Sequence, residues 1–210
     1  MAFDITVPRR PHALCAAYDQ AAQSWQDTVS RLGYPAAYQE MFDTLPPRCD
    51  GPAIDVGCGP GTFARALLAA APGVPQLDLL DPSAPMLEAA ARAMGRSGPT
   101  QLRFTQAGIG TDLIRGGYQS VLCAHVIEHL DDPLDALGWL RSLLAPGGQL
   151  YLVVSRPHWC TVLLRWKWGH RAYRTGEMAK MLTVAGFATC RTVTFSAGPP
   201  SRTSAGYIAR

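Results

Sequence analysis

The stretch that most constrains this chain is AIDVGCGPGTF, residues 53–63. AIDV is long enough for a buried strand. Glycines at 57, 59 and 61 give a bare turn that tolerates backbone angles other residues resist. The following TFARALLAAAPG, residues 62–73, has helical composition and a Pro-Gly stop. A strand, a tight glycine turn and a helix in that order open a sheet whose strands run parallel with crossover helices on its faces.

The rest of the chain repeats the alternation. QLDLLD (76–81), QLRFTQ (101–106), YQSVLCA (118–124), QLYLVVS (149–155), ATCRTVTF (188–195) and SAGYIAR (204–210) read as strands. Helices are predicted over 83–95, with Ser83 as N-cap and Gly95 as stop, over 131–148, and over 175–187 between Thr175 and Gly186. His12 to Thr44 reads as two helices broken at LGYP, residues 32–35. The fold class is α/β, doubly wound and Rossmann-like, in a single domain over 1–210. It divides into a helical cover (1–50), a core (51–155), a covering segment (156–174) and a closing helix with strands (175–210). With 48% hydrophobic residues, the chain has ample material for one core.

The glycines are spaced G-x-G-x-G, whereas the dinucleotide fingerprint requires G-x-G-x-x-G; Thr62 stands where its third glycine belongs. A nicotinamide-dependent oxidoreductase is thereby disfavoured. A turn bare of Cβ atoms admits a bulky group other than a phosphate close to the backbone. Asp55, just before the turn, would repel a phosphate and suits a cationic ligand such as a sulfonium. Asp81 ends the second strand, where a carboxylate can accept hydrogen bonds from both ribose hydroxyls; DPS is also good turn chemistry.

Together these stretches resemble the class I S-adenosylmethionine-dependent methyltransferases, from about Ala53 to Phe187. DVGCGPGTF is similar to their first motif, LLDPSAPMLEAA to the second, YQSVLCAHVIEHLDDP to the fourth with its helix, and LRSLLAPGGQLYLVV to the fifth. GHRAYRTGEMAKMLTVAGF resembles a segment of small-molecule members, a group that includes ubiquinone and menaquinone methyltransferases and natural-product enzymes. The resemblance implies a seven-stranded sheet with the last strand antiparallel. It also implies S-adenosyl-L-methionine as cofactor, S-adenosyl-L-homocysteine as its product, and methyl transfer to a small organic acceptor, which can be apolar. Residue by residue, it places Gly57, Gly59 and Gly61, with Cys58, around the methionine half and Asp55 beneath it. Asp81 would hold the ribose, and Pro82 and Met86 would pack against adenine. Gln106 and Ala107 would meet the adenine edge, Gln106 replacing an aspartate found in many relatives. Ala124 and His125 would form the pocket lip, and Tyr18 would cap the cofactor. The sulfonium already activates the methyl group, so alignment and exclusion of water dominate, and no fixed triad is required. A non-catalytic cofactor-binding domain is the remaining alternative.

His125, Glu128 and His129 form H-x-x-E-H, a spacing that on a helix would put two imidazoles and a carboxylate on one face. Here the motif overlaps the end of the apolar strand SVLCAHV, so a zinc site is not expected. Glu177 is the one tempting third ligand. His125 is instead a candidate for cofactor or substrate contact and for a catalytic base, and Glu128 and His129 read as support for the turn. Tyr34 and Tyr38 read as packing aromatics.

Residues 156–174 carry Arg156, Arg165, Lys167, Arg171 and Arg174 beside Trp159, Trp166 and Trp168, with no acid. Three readings stay open: a lid over an apolar or anionic substrate, peripheral contact with a membrane bearing a lipid or quinone acceptor, and an ordinary packed helix with a basic face. The net charge of +3 is too mild to indicate a nucleic-acid partner. The six cysteines contain no C-x-x-C pair and read as small buried hydrophobes. The start MAFDITVPRRPHAL lacks the apolar stretch of a signal peptide, and a cytoplasmic protein is expected. Oligomeric state and acceptor atom are left open.

Overall fold

The structure is a computed structural model that describes residues 27–95, 98–158 and 171–210. Its centre is a seven-stranded sheet of order β3-β2-β1-β4-β5-β7-β6. The strands are β1 (Ala53–Val56), β2 (Gln76–Asp81), β3 (Gln101–Gln106), β4 (Tyr118–Ala124), β5 (Leu144–Ser155), β6 (Cys190–Val193) and β7 (Ser204–Ala209). The pairs β3–β2, β2–β1, β1–β4 and β4–β5 are parallel. The last strand, β7, enters antiparallel between β5 and β6, as expected from the family resemblance.

Among the described residues the helices that accompany it include α1 (Tyr34–Thr44), α2 (Thr62–Ala70), α3 (Ala84–Met94), α4 (Pro133–Ser142), α5 (Thr175–Val184) and the short α6 (Pro200–Thr203). Residues 27–31 are also helical. The predicted break between the N-terminal helices falls at Gly33, which is left-handed at φ 88° and precedes α1.

The central strands β1, β2, β4, β5 and β7 are largely buried because both sheet faces are covered there, whereas the edge strand β3 is mostly exposed. Alternate residues serve opposite cores. Tyr151 and Val153 of β5 join Met41, Phe42, Phe63 and Leu67 under α1 and α2. Leu150, Leu152 and Val154 join Leu137, Leu140, Met178 and Leu182 under α4 and α5.

One boundary differs from the sequence reading. The helix predicted over 131–148 stops at Ser142, and LAPGG belongs to β5. Tyr118 pairs with Leu144, but Ser120 pairs with Gln149, so the extra residues bulge. Gly147 is left-handed at φ 76°, and a Cβ on Gly148 would sit 2.7 Å from the Tyr118 carbonyl. The Pro-Gly-Gly therefore shapes a strand entry as well as ending a helix. Likewise β6 is shorter than 188–195, and α6 was not anticipated.

Parallel register brings the strand ends to one edge: Val56 pairs with Leu80 and with Cys123, and Asp81 pairs with Gln106. The loops after β1, β2, β3 and β4 therefore open together at the carboxyl edge, where doubly wound sheets bind ligands.

Candidate functional site

The glycine loop folds back over the end of β2. The Gly57 and Cys58 N–H groups both donate to the Leu80 carbonyl, at 2.7 and 3.0 Å, and Gly61 N–H donates to Cys58 O at 2.9 Å. All three glycines are left-handed, with φ of 69°, 50° and 79°. Their surroundings differ. A Cβ at Gly57 would lie 2.2 Å from Cγ2 of Val126, and one at Gly61 would lie 2.9 Å from Met94 Cε. A Cβ at Gly59 would meet nothing within 4 Å. Two glycines thus permit packing, while the middle one borders open space. Cys58 is buried between them.

The two aspartates have separate tasks. Asp55 lies beneath the loop, 1% exposed, and accepts a 3.0 Å hydrogen bond from Ala64 N–H in the first turn of α2. Burial pushes its carboxyl up to about 7; the Ala64 bond opposes this and the charge of Asp81 adds to it. Asp81 accepts from Gly59 N–H at 2.8 Å with one oxygen and from Ser83 N–H at 2.9 Å with the other. A carboxylate has about four acceptor positions, so these bonds leave it acceptor capacity for further donors. The loop after β2 is fixed by Ser83, whose Oγ caps α3 by accepting from Met86 N–H at 3.3 Å.

The residues expected around adenine also sit at this edge. Pro82 is exposed, whereas the Met86 side chain is buried at 1% exposure. Gln106 donates from Nε2 to the Pro82 carbonyl at 3.3 Å, which leaves its amide oxygen as the group able to accept. Ala107 N–H donates to Asp81 O at 3.2 Å, tying the loop after β3 to that after β2.

Ala124 ends β4 and His125 follows it. Among the described residues, His125 is the one non-glycine with left-handed backbone, φ 58°. Its N–H donates to Val153 O at 2.8 Å. Its Nδ1 lies 3.2 Å from Glu128 Oε1 and 3.3 Å from Ser155 Oγ. The Tyr34 ring meets the imidazole edge-on, with centroids 5.0 Å apart, and its hydroxyl hydrogen-bonds Ser204 Oγ at 3.0 Å. Tyr34, Ser155 and Ser204 escaped the sequence reading. Ser155 and Ser204 are neighbours only through the β5–β7 register, which sequence spacing does not reveal. From the sequence Tyr34 reads only as a packing aromatic.

H-x-x-E-H is not on a regular α-helix; Ile127–His129 is a single 3₁₀ turn. Glu177 is engaged elsewhere, accepting from Arg174 N–H at 3.3 Å at the start of α5. Among the described residues no group of three or more His, Cys, Asp or Glu is arranged to hold a metal ion. Of the described cysteines, Cys58 and Cys123 are buried, but Cys49 is exposed and Cys190 partly so, a departure from the expectation that all are buried. No described helix is long and apolar enough to cross a membrane. Tyr18 and residues 159–170 of the Trp-rich segment lie outside the described residues.

Residues 54–150 match the protein family described as a methyltransferase domain. An uncharacterized methyltransferase of Mycobacterium tuberculosis is 32% identical over 117 residues, covering 55% of this chain and 56% of that protein. A ubiquinone biosynthesis O-methyltransferase of Xanthomonas campestris is 33% identical over 102 residues, covering 47% and 41%. The chain thus spans about half the length of the curated relatives it matches. Among solved structures, the DhpI–SAM–HEP complex superposes with TM-score 0.72 at 20% identity, over 98% of this chain and 99% of that one. The mitomycin 7-O-methyltransferase MmcR superposes with TM-score 0.65 at 21% identity, over 92% and 60%. The fold is that of the class I methyltransferases, in agreement with the resemblance read from the motifs.

Proposed function

We propose that this chain transfers the methyl group of S-adenosylmethionine to a small organic acceptor. The observation that carries the reading is the pairing of Gly59 with Asp81 inside the segment that matches a methyltransferase domain. Gly59 opens to space at the carboxyl edge of the sheet, and its N–H is held by the carboxylate of Asp81. The donor set suits the cofactor. The glycine turn gives close approach without side chains, Asp81 supplies acceptor positions for ribose hydroxyls, and the Gln106 amide oxygen is an acceptor for an adenine amino group. When bound, the cofactor supplies an electrophilic methyl group on a sulfonium.

The chain's own contribution is then to hold, orient and exclude water. Gly57, Cys58 and Gly61 set the loop, Asp55 fixes α2 beneath it, and Pro82, Met86 and Ala107 border the adenine side. Ala124 and His125 form the lip facing the glycine loop, since Val126 packs directly on Gly57. Tyr18 and the segment 156–174 complete the cover in this reading, with the domain extending over 1–210. Cytoplasmic location belongs to the same reading.

Calorimetry with S-adenosylmethionine, S-adenosylhomocysteine and NAD tests it. Micromolar-range binding of the first two and none of NAD is expected; preference for NAD would restore the oxidoreductase reading. Binding without transfer to any member of a broad acceptor panel would favour a non-catalytic domain.

A further inference from the structure

Three features of the His125 site point beyond holding a cofactor. The first is backbone strain. A non-glycine residue at φ 58° costs roughly 1–2 kcal/mol, and such outliers persist where the surroundings over-determine them. Here the His125 N–H is tied to Val153 O, and the next residue, Val126, is wedged against Gly57. The imidazole is thereby turned toward a place that an ordinary strand exit would not give it.

The second is Glu128. Its side chain is fully buried, and Oε1 accepts from the backbone N–H of Ser155 at 2.6 Å while lying 3.2 Å from His125 Nδ1. A carboxylate clamped by backbone beside Nδ1 selects the tautomer with its proton on Nδ1, as the aspartate does in serine-protease triads. The third is the other ring nitrogen. Nε2 is buried and has no hydrogen-bond partner. Leaving a buried polar atom unpaired costs about 1–3 kcal/mol, which a ligand donor would recover.

We infer that His125 is the general base of this site, that Glu128 is its positioning residue, and that the methyl acceptor is a phenolic or enolic hydroxyl compound. The inference rests on the methyl-transfer reading above. In the step, the acceptor O–H gives its proton to His125 Nε2, and the oxygen pair forms the bond to the methyl carbon. The carbon–sulfur bond breaks with its pair remaining on sulfur. The imidazolium so formed faces the Glu128 carboxylate, and the proton passes to water as product leaves. Phenols and enols fit because their hydroxyls, with a pKa of about 10 for tyrosine, lie within reach of an imidazole base. A thioether carries no such proton, and a carbon acceptor would not form the new bond through its hydroxyl oxygen.

The test is ¹⁵N NMR of the imidazoles in the full chain, with and without S-adenosylhomocysteine, followed by turnover of phenols of graded acidity. Neutral His125 is expected to carry its proton on Nδ1 in both states. Glu128→Gln keeps at the Oε1 position an oxygen that accepts from both Ser155 N–H and His125 Nδ1–H, so the tautomer should persist; the charge that faces the imidazolium is lost, and kcat should fall roughly 10²–10⁴-fold with little change in KM. His125→Ala should lose turnover of weakly acidic phenols yet retain it for nitrophenols that arrive ionised. A wild-type proton on Nε2 would overturn the inference, and that spectrum decides the matter even if Glu128→Gln does not fold. Equal kcat in wild type and Glu128→Gln, or turnover confined to carbon and thioether acceptors, would also overturn it. Failure to bind S-adenosylhomocysteine would instead overturn the underlying reading, and the tautomer remains measurable in the ligand-free chain.

Discussion

Gly57 and Gly59 share a left-handed backbone and stand two residues apart, yet replacing each by alanine should have opposite consequences. At Gly57 a Cβ costs roughly 1–2 kcal/mol for the backbone. It also drives into Val126 Cγ2 at 2.2 Å, and overpacking of that kind adds about 1–3 kcal/mol. For a chain of this size each kcal/mol moves Tm by ~2–4 °C, so Gly57→Ala should melt roughly 5–15 °C below wild type. At Gly59 the backbone cost is similar, but a Cβ meets nothing within 4 Å. Gly59→Ala should therefore lose only ~2–6 °C. Its methyl group would occupy the space assigned to the cofactor, and S-adenosylhomocysteine affinity should fall at least about tenfold, the equivalent of 1.4 kcal/mol. Thermal melts and calorimetry on the two variants decide the question. If Gly59→Ala binds as tightly as wild type, the open space at Gly59 is not the cofactor's. If it melts as low as Gly57→Ala, the division of labour between the glycines is wrong.

Other perturbations test the neighbouring groups. Asp81→Ala removes the acceptor for Gly59 N–H and Ser83 N–H and for any ribose hydroxyl. At about 1.5–3 kcal/mol for hydrogen bonds to a charged group, S-adenosylhomocysteine affinity measured by calorimetry should fall roughly 10–100-fold. Asp55 is held up to about 7 in the folded chain against ~3.9 unfolded, so the folded state binds the extra proton between these values. Its contribution is present below about pH 4 and lost as pH rises through about 7; Asp55→Asn, which still accepts from Ala64 N–H, should flatten the fall in Tm across that window. Tyr34→Phe deletes the bond to Ser204 Oγ but keeps the ring against His125. It should cost about 1 kcal/mol in chemical denaturation and leave cofactor affinity unchanged.

The sheet was legible because its physics is local and repetitive. Runs such as QLDLLD and QLYLVVS are rich in apolar residues, each ends in a turn signal, and the intervening helices carry their caps at Ser83 and beside Pro-Gly. The misread element is instructive. LAPGG looks like a helix terminator, and α4 does end just before it, at Ser142. The same residues also form a bulged entry to β5, because Gly148 must pass within a Cβ's reach of the Tyr118 carbonyl. That contact spans two strands and leaves no mark in the local pattern. The glycine loop and Asp81, the proposed cofactor side, were legible for the same reason as the sheet, since Gly57, Gly59, Gly61 and Asp81 are punctuation in the alternation itself.

The acceptor side was not, and H-x-x-E-H shows why. The spacing suggested three side chains on one helical face. In the structure His125 and Glu128 do meet, at 3.2 Å, but through a left-handed residue followed by a single 3₁₀ turn. The partners that give the pair meaning come from far along the chain: Ser155 from β5, and Tyr34 from the helix before β1. A motif defined by helical periodicity thus picked out two residues that do meet, but through a different geometry. What separates a metal-binding helical face from the His125–Glu128 contact seen here is the backbone angle at His125 and the burial of Glu128, and both are set by how β4, β5 and α1 pack.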